Sequence, residues 1–552
     1  MRSLSFATMV GVLGLLVSLV QAAALPRALN KVISTPHGDV TGLTTADGSR
    51  YTVPYVRPPV GGRRFKDPVD FTQFAFPSLR RSYRRSRTDR KYDASKLPPA
   101  CPQTHLDEYS EDCLYLTIYA PPSASPTSNL PVFFWVHGGS FHSGATSDLD
   151  AAALARSQNM VVVEVQYRLG LLGWARFDKM GVEGNLGLKD VIKALQFVQS
   201  DISAYGGSPS LVTLAGQSSG AEIIKSLLVT PSATPLFKRA ILQSAPLDTV
   251  DQSISTANKI GQHALVELVK CRTLSCLQNS RSVEDILAAQ ATLLEPATVM
   301  SLGSTLGLGP DYMFSEPFRT VVDGKLVTRD FRQVVRGGGQ LEGRGKELVF
   351  TTVKDEGCAT IAGVVPTPVA ADAFPGYVAF AFPSRAADIV ESGLYDPSLL
   401  ANDSDATRDQ LVRLVTDFSW VCPNQKTALG IEAAGGHNVY LGEFDLGVDF
   451  YEGGLPFCST SVDHQDDIYL LFSPPSPLSS AQSTLSRDLQ ARWGAFAHTG
   501  QPNARGASPR WPTVGREGEG EMEVMQLGGA RGGRSRVVKG QRGEECAAYR
   551  FA

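Results

Sequence analysis

Gly216-Gln217-Ser218-Ser219-Gly220 stands between an apolar run at 211–215 and a helical pattern at 222–229. A serine on a sharp strand-to-helix turn has its hydroxyl lifted clear of the sheet edge, where it can attack a carbonyl carbon. The flanking glycines fit such a turn, because side chains there strike the neighbouring strand and helix. A free hydroxyl is a weak nucleophile. It needs a base to take its proton and fixed N–H donors to hold the oxyanion. In His137-Gly138-Gly139-Ser140, directly after a strand-like run at 130–136, Gly138 and Gly139 can bring the backbone close to a substrate. The third donor is expected from the N–H of Ser219, the residue after the nucleophile.

The hydrolytic chain order is serine, acid, histidine. Four of the eight histidines follow Ser218: His263, His437, His464 and His498. His263 lies in a helical stretch and His437 begins a strand. His464 sits in the loop Asp463-His464-Gln465-Asp466-Asp467 beyond that strand, where a base should hang. The acid should end the strand before it. There Lys354-Asp355-Glu356-Gly357 offers Asp355 or Glu356, and the unused one is expected to be a solvated or capping carboxylate.

The elements that carry these residues follow a βαβ rhythm. Near-continuous apolar runs at 130–136 and 160–165 predict strands buried on both faces, the mark of a parallel sheet. A helical pattern at 187–203 follows, then a strand at 211–215, a helix at 222–229 and a strand at 240–243. Further strands are predicted at 347–353 and 438–444, with a helical insertion between them that should cap the site. The class is α/β, a doubly wound sheet in one large domain. Residues 515–545 are rich in Gly, Arg and Glu and are expected to be poorly ordered. The basic stretch from 72 to 91, with Arg80, Arg81, Arg84, Arg85, Arg87, Arg90 and Lys91, reads as an atypical solvated insertion.

Arg2, an apolar core at 9–20 and Ala22-Ala23-Ala24 read as a cleavable export signal over 1–22. The core is short for a membrane span, and no stable membrane anchor is expected. Export gives the eight cysteines an oxidising compartment, and spacing favours the pairs Cys101–Cys113 and Cys271–Cys276. Asn402-Asp403-Ser404 is a glycosylation sequon. A net charge of −3 over 552 residues provides no basic field for nucleic acid. The oligomeric state is not readable.

Four further segments carry a resemblance: Ser110-Glu111-Asp112-Cys113-Leu114-Tyr115-Leu116, Tyr167-Arg168-Leu169-Gly170, Gly184-Asn185-Leu186-Gly187-Leu188-Lys189-Asp190, and Phe496-Ala497-His498-Thr499-Gly500-Gln501-Pro502-Asn503. With the elbow and the Gly-Gly loop, they resemble the type-B carboxylesterases, α/β-hydrolases related to cholinesterases and large lidded lipases. The resemblance spans roughly residues 30–505. It implies a large, mostly parallel mixed sheet with helices on both faces and a helical cap. It also implies a Ser218, Glu356, His464 triad with Gly138, Gly139 and Ser219 as oxyanion donors. The two local disulfides and a salt bridge between Arg168 and Asp190 are implied as well, with no metal or cofactor. Cys422 and Cys546 stand where some relatives place a long-range disulfide. A bond between Cys358 and Cys458 would pin the acid and base loops together.

The activity so implied is hydrolysis of small-molecule or lipid-like carboxylic esters by a secreted serine esterase. The alternatives are an inactive cholinesterase-like binding or adhesion module, and a lipase or sterol esterase. Two departures bear on substrate. The family's usual elbow has Glu and Ala around the serine, and here they are Gln217 and Ser219. Only residues 102–112 lie inside the Cys101–Cys113 loop, with no Trp and no room for a lid. Gln217 removes a negative charge, which weakens the case for a cationic substrate, and the short loop disfavours choline esters and strongly interface-activated lipolysis.

Overall fold

A computed structural model describes residues 29–74, 91–295, 317–338, 341–343, 345–400, 404–448, 455–472, 477–515 and 521–549. The expected signal segment 1–22, Asn402 and all but the ends of the basic stretch 72–91 lie outside the described residues.

A thirteen-stranded sheet runs through the molecule. Its strands are β1 (Leu29–Thr35), β2 (Gly38–Thr45), β3 (Gly48–Pro54), β4 (Tyr92–Asp93), β5 (Tyr115–Ala120), β6 (Leu130–Val136) and β7 (Val161–Val165). They continue with β8 (Gly207–Gln217), β9 (Arg239–Gln243), β10 (Glu347–Val353), β11 (Asn438–Phe444), β12 (Glu523–Ala530) and β13 (Arg534–Lys539). The spatial order is β1-β2-β3-β5-β7-β6-β8-β9-β10-β11-β12-β13, with β4 beside β2. From β7 to β12 every pairing is parallel, and antiparallel pairs close both ends.

The central strands are apolar on both sides because both sides are covered. Val132, Phe134 and Val136 of β6 enter one core, and Phe133 and Trp135 enter the other. Helices α1 (Leu186–Asp201) and α2 (Ser219–Leu227) fill the first core with Leu188, Val191, Leu195, Ile223 and Leu227. The cap contains α3 (Cys358–Val364), α4 (Phe374–Ala381), α5 (Ala386–Ser392), α6 (Ala406–Thr416) and α7 (Cys422–Ala434). It has a third core of its own, built on Ile361, Val378, Leu414 and Phe418. Beyond β11, α8 (Asp466–Leu471) and α9 (Ser480–Thr499) pack on the second face through Leu470, Leu489, Trp493 and Phe496. Each fully buried side chain of this size is worth about 1.5–3 kcal/mol, so the two faces hold the sheet rigid beneath whatever is mounted on its edge.

The described residues 521–545, in the segment expected to be poorly ordered, form two strands. β12 adds in parallel to β11, and β13 folds back on β12 as the edge strand. Val524, Met525 and Leu527 seat β12 on both cores. Cys546 then bonds Cys422, tying the segment to the cap. All eight cysteines are paired, as Cys101–Cys113, Cys271–Cys276, Cys358–Cys458 and Cys422–Cys546. Arg168 makes a buried two-pronged ion pair with Asp190, with both N···O distances at 2.7 Å. No helix among the described residues is long and apolar enough to cross a membrane.

Candidate active site

β8 ends at Gln217 and α2 begins at Ser219, so Ser218 is the turn between them, with φ 55° and ψ −128°. A non-glycine residue held at positive φ stores roughly 1–3 kcal/mol, which the neighbours must offset. They do so from both sides: the Ser218 N–H donates to the Gln243 carbonyl at 2.9 Å, and the Ser218 carbonyl accepts the first helical bond from Glu222 at 3.0 Å. A Cβ at Gly220 would lie 2.1 Å from the Val136 carbonyl oxygen, and one at Gly216 2.8 Å from the same atom. The turn can therefore lie this close to β6 only with glycine at both places.

The Gly138-Gly139 loop leaves the end of β6 and reaches the same point. A Cβ at Gly138 would sit 3.1 Å from the Ser218 Cβ, and Gly139 has φ 104°. The loop is fixed by several bonds. The Phe141 N–H donates to Ser219 Oγ at 3.1 Å, the Ser143 hydroxyl donates to the Gly139 carbonyl at 2.9 Å, and the Tyr167 hydroxyl donates to the His137 carbonyl at 2.8 Å. The Tyr167 ring also stacks on His137 at 4.5 Å.

Glu356 follows β10 and is 1% exposed. Its Oε1 accepts from the Val353 N–H at 2.9 Å, and its Oε2 lies 2.5 Å from His464 Nδ1. Facing a carboxylate, Nδ1 carries the proton and Nε2 of the neutral ring is left as the acceptor. Asp355 points elsewhere. It donates its N–H to the Val462 carbonyl at 3.1 Å, and its Oδ2 accepts from the Val462 N–H at 2.9 Å. It is neither a solvated group nor a helix cap, as expected from the sequence, but a clamp on the base loop. The Cys358–Cys458 disulfide is a second clamp between the same two loops. The other histidines lie apart. His263 pairs with Glu267, His437 is buried just before β11, and His498 reaches the Gln158 carbonyl.

Ser218, Glu356 and His464 line one cavity of about 510 Å³. The cavity is lined by apolar Phe141, Val415, Phe418 and Trp420 together with the charged side chains of Glu222, Asp248, Arg319 and Arg385. The Trp420 ring lies 5.7 Å from the His464 ring.

Behind His464 is a group of carboxyls that sequence reading passed over. Asp463, Asp466 and Asp467 are all buried. Asp466 Oδ2 accepts from the Asp463 N–H at 2.8 Å. Asp467 accepts from Gln243 at 2.5 Å, and Gln243 in turn accepts from the Trp493 indole at 3.0 Å. Burial, reinforced by nearby carboxylates, pushes both Asp463 and Asp467 up to about 7. The only sequence signal was the density of acids around His464, and burial cannot be read from that. A second feature passed over is the Gln217 carboxamide, which lies 3.0 Å from His464 Nε2. The sulfurs of Cys358 and Cys458 and the carboxyl of Asp463 also come together, but both sulfurs are committed to a disulfide and offer no thiolate to a metal.

Comparison with known proteins places this geometry. A model of the carboxylesterase family matches residues 30–547. Carboxylesterase 1E of Rattus norvegicus is 30% identical over 521 residues, covering 86% of this chain and 85% of that protein. A medium-chain fatty acyl-CoA hydrolase precursor of Anas platyrhynchos is 30% identical over 487 residues, covering 83% of this chain and 81% of that protein. Among solved structures, a PNB esterase superposes with a TM-score of 0.72 at 25% identity, covering 94% of this chain and 100% of that one. A thermophilic PNB esterase gives 0.73 at the same identity and coverage. The chain belongs to the carboxylesterase family, and it is a carboxylic ester hydrolase.

Proposed function

We propose that Ser218 is the nucleophile, His464 the general base and Glu356 the acid that orients it. The N–H groups of Gly138, Gly139 and Ser219 are the oxyanion donors. The observation that carries this reading is the position of His464. Its Nδ1 is bonded to a buried carboxylate, and its ring lines the same cavity as the strained Ser218. Nε2 takes the proton as the Ser218 Oγ adds to the ester carbonyl, and the oxyanion is held by the three N–H groups. The tetrahedral intermediate collapses, Nε2–H protonates the departing alkoxide, and an acyl-enzyme remains. Water, deprotonated by the same nitrogen, adds to the acyl carbon. Collapse returns Ser218 and a carboxylic acid.

The cavity suits esters of modest size, given its volume and its mixed apolar and charged lining. The protein acts after export, glycosylated at Asn402. Four disulfides support an oxidising compartment, where such bonds persist.

A panel of nitrophenyl esters of increasing acyl length, run with wild type and Ser218→Ala, tests the reading. The wild type should turn over the short and medium esters, and the variant should retain only residual rate from binding and the oxyanion donors, lower by about 10⁴ or more. Equal rates would contradict it.

A further inference from the structure

Gln217 is fully buried at the last position of β8, in register with Gln243 of β9. Its side chain turns towards the base, with Nε2 3.0 Å from His464 Nε2. Because His464 Nδ1 faces the Glu356 carboxylate at 2.5 Å, the neutral ring presents a lone pair at Nε2, and the amide N–H is the donor. If the ring were protonated at Nε2, two donors would face each other across this contact. The Gln217 Oε1 points away and has no hydrogen-bond partner among the described residues. A Cβ at Gly138 would meet it at 2.8 Å, so this oxygen is lodged against the Gly138 loop.

We propose that Gln217 is a positioning residue that keeps His464 waiting as the neutral, Nδ1-protonated ring by donating its carboxamide to Nε2. The inference rests on the assignment of His464 as the base. Its physical content is that a hydrogen bond made to the neutral form disfavours the charged one. A second consequence follows during turnover. Once Nε2 has taken the Ser218 proton, the amide opposes it donor to donor, and Nε2–H is directed to the oxygen of the departing alkoxide instead.

Several charges surround the base and stay constant when Gln217 is changed. Glu356 faces it from the acid loop, and Asp463, Asp466 and Asp467 lie near it on its own loop and α8. Glu222, Asp248, Arg319 and Arg385 line the same cavity. A shift produced by a substitution at 217 alone is therefore attributable to that side chain.

The test is the pH dependence of kcat/KM on a short nitrophenyl ester for wild type, Gln217→Glu and Gln217→Met, with Ser218→Ala and His464→Asn alongside. Gln217→Glu replaces the donor with an acceptor that favours imidazolium, and its acid limb should move up by about one pH unit or more. Gln217→Met removes the donor without adding charge, so its limb should move in the same direction by less. Acid limbs superimposed on the wild type would overturn the proposal. If the Glu variant does not fold, the Met variant decides alone. If neither folds, ¹⁵N spectra of histidine-labelled wild type decide: Nδ1 should be protonated and Nε2 bare at neutral pH, and the opposite tautomer would overturn the assignment. If His464→Asn or Ser218→Ala keeps the wild-type rate, the triad reading fails and takes this inference with it. If both are inactive and the limbs do not move, only the role of Gln217 fails.

Discussion

Cys358 and Cys458 join the loop that presents Glu356 to the loop that presents His464. The two cysteines are 100 residues apart in sequence, and each lies within six residues of the side chain it helps to hold. Asp355 and Val462 repeat the connection with two hydrogen bonds. The 2.5 Å contact between Glu356 and His464 is thus fixed by a covalent and a polar clamp rather than by the contact itself.

Loss of the covalent clamp should therefore weaken both stability and rate. A loop of about 100 residues closed by a disulfide is worth about 4.7 kcal/mol in the chain-entropy model. The Cys358→Ala, Cys458→Ala double variant should melt several degrees lower. Its kcat should fall more than its KM rises, because the base is less well held while the cavity walls remain. Unchanged kcat with lowered melting temperature would show that Asp355 and Val462 suffice.

The buried acids behind His464 predict how stability depends on pH. Asp463 and Asp467 titrate near 7 in the folded protein and near 3.8 in the unfolded chain. For a carboxyl raised on folding, the folded state binds the proton more tightly. Its contribution is fully present below about pH 4 and is lost as pH rises through about 7. Melting temperatures should fall between about pH 4 and about pH 7, and Asp467→Asn should flatten that slope, since its amide has no proton to lose. A slope identical in the variant would assign the pH dependence to other groups, such as Glu443, which burial also raises to about 7.

Gly138 provides a sharper test of the oxyanion loop. A Cβ there would lie 2.8 Å from the Gln217 carbonyl oxygen and 3.1 Å from the Ser218 Cβ. Gly138→Ala must move the loop away from the serine, and loss of one oxyanion donor costs about 10²–10³ in kcat. The variant should show that loss in steady-state assays of folded protein, as judged by circular dichroism. A kcat within a few-fold of wild type would remove Gly138 from the proposed donor set.

The fold was readable wherever burial is continuous along the chain. β6 and β7 are apolar on both faces, and their runs announce a covered parallel sheet. β10 and β11 begin and end where the pattern places them. β12 and β13 escaped because these last two strands carry few buried apolar positions, and these are diluted among Gly, Arg and Glu. The serine turn and the Gly-Gly loop were readable because their glycines answer close backbone approaches that no other residue allows. The Gln217 contact with His464 was not, since it spans 247 positions and depends on how one amide is aimed. The buried state of Asp467 was hidden for a related reason: Gln243, which bonds it, and Trp493, which bonds Gln243, come from distant parts of the chain.

The account stands on a covalent intermediate at one oxygen. Mixing the protein with a stoichiometric amount of a slowly deacylated nitrophenyl ester, quenching in acid and mapping peptides by mass spectrometry tests it directly. One acyl group per chain should be found on the peptide that contains Ser218, and none should be found after Ser218→Ala. An acyl group on a different residue, or turnover with no acylated peptide at any quench time, would contradict the account.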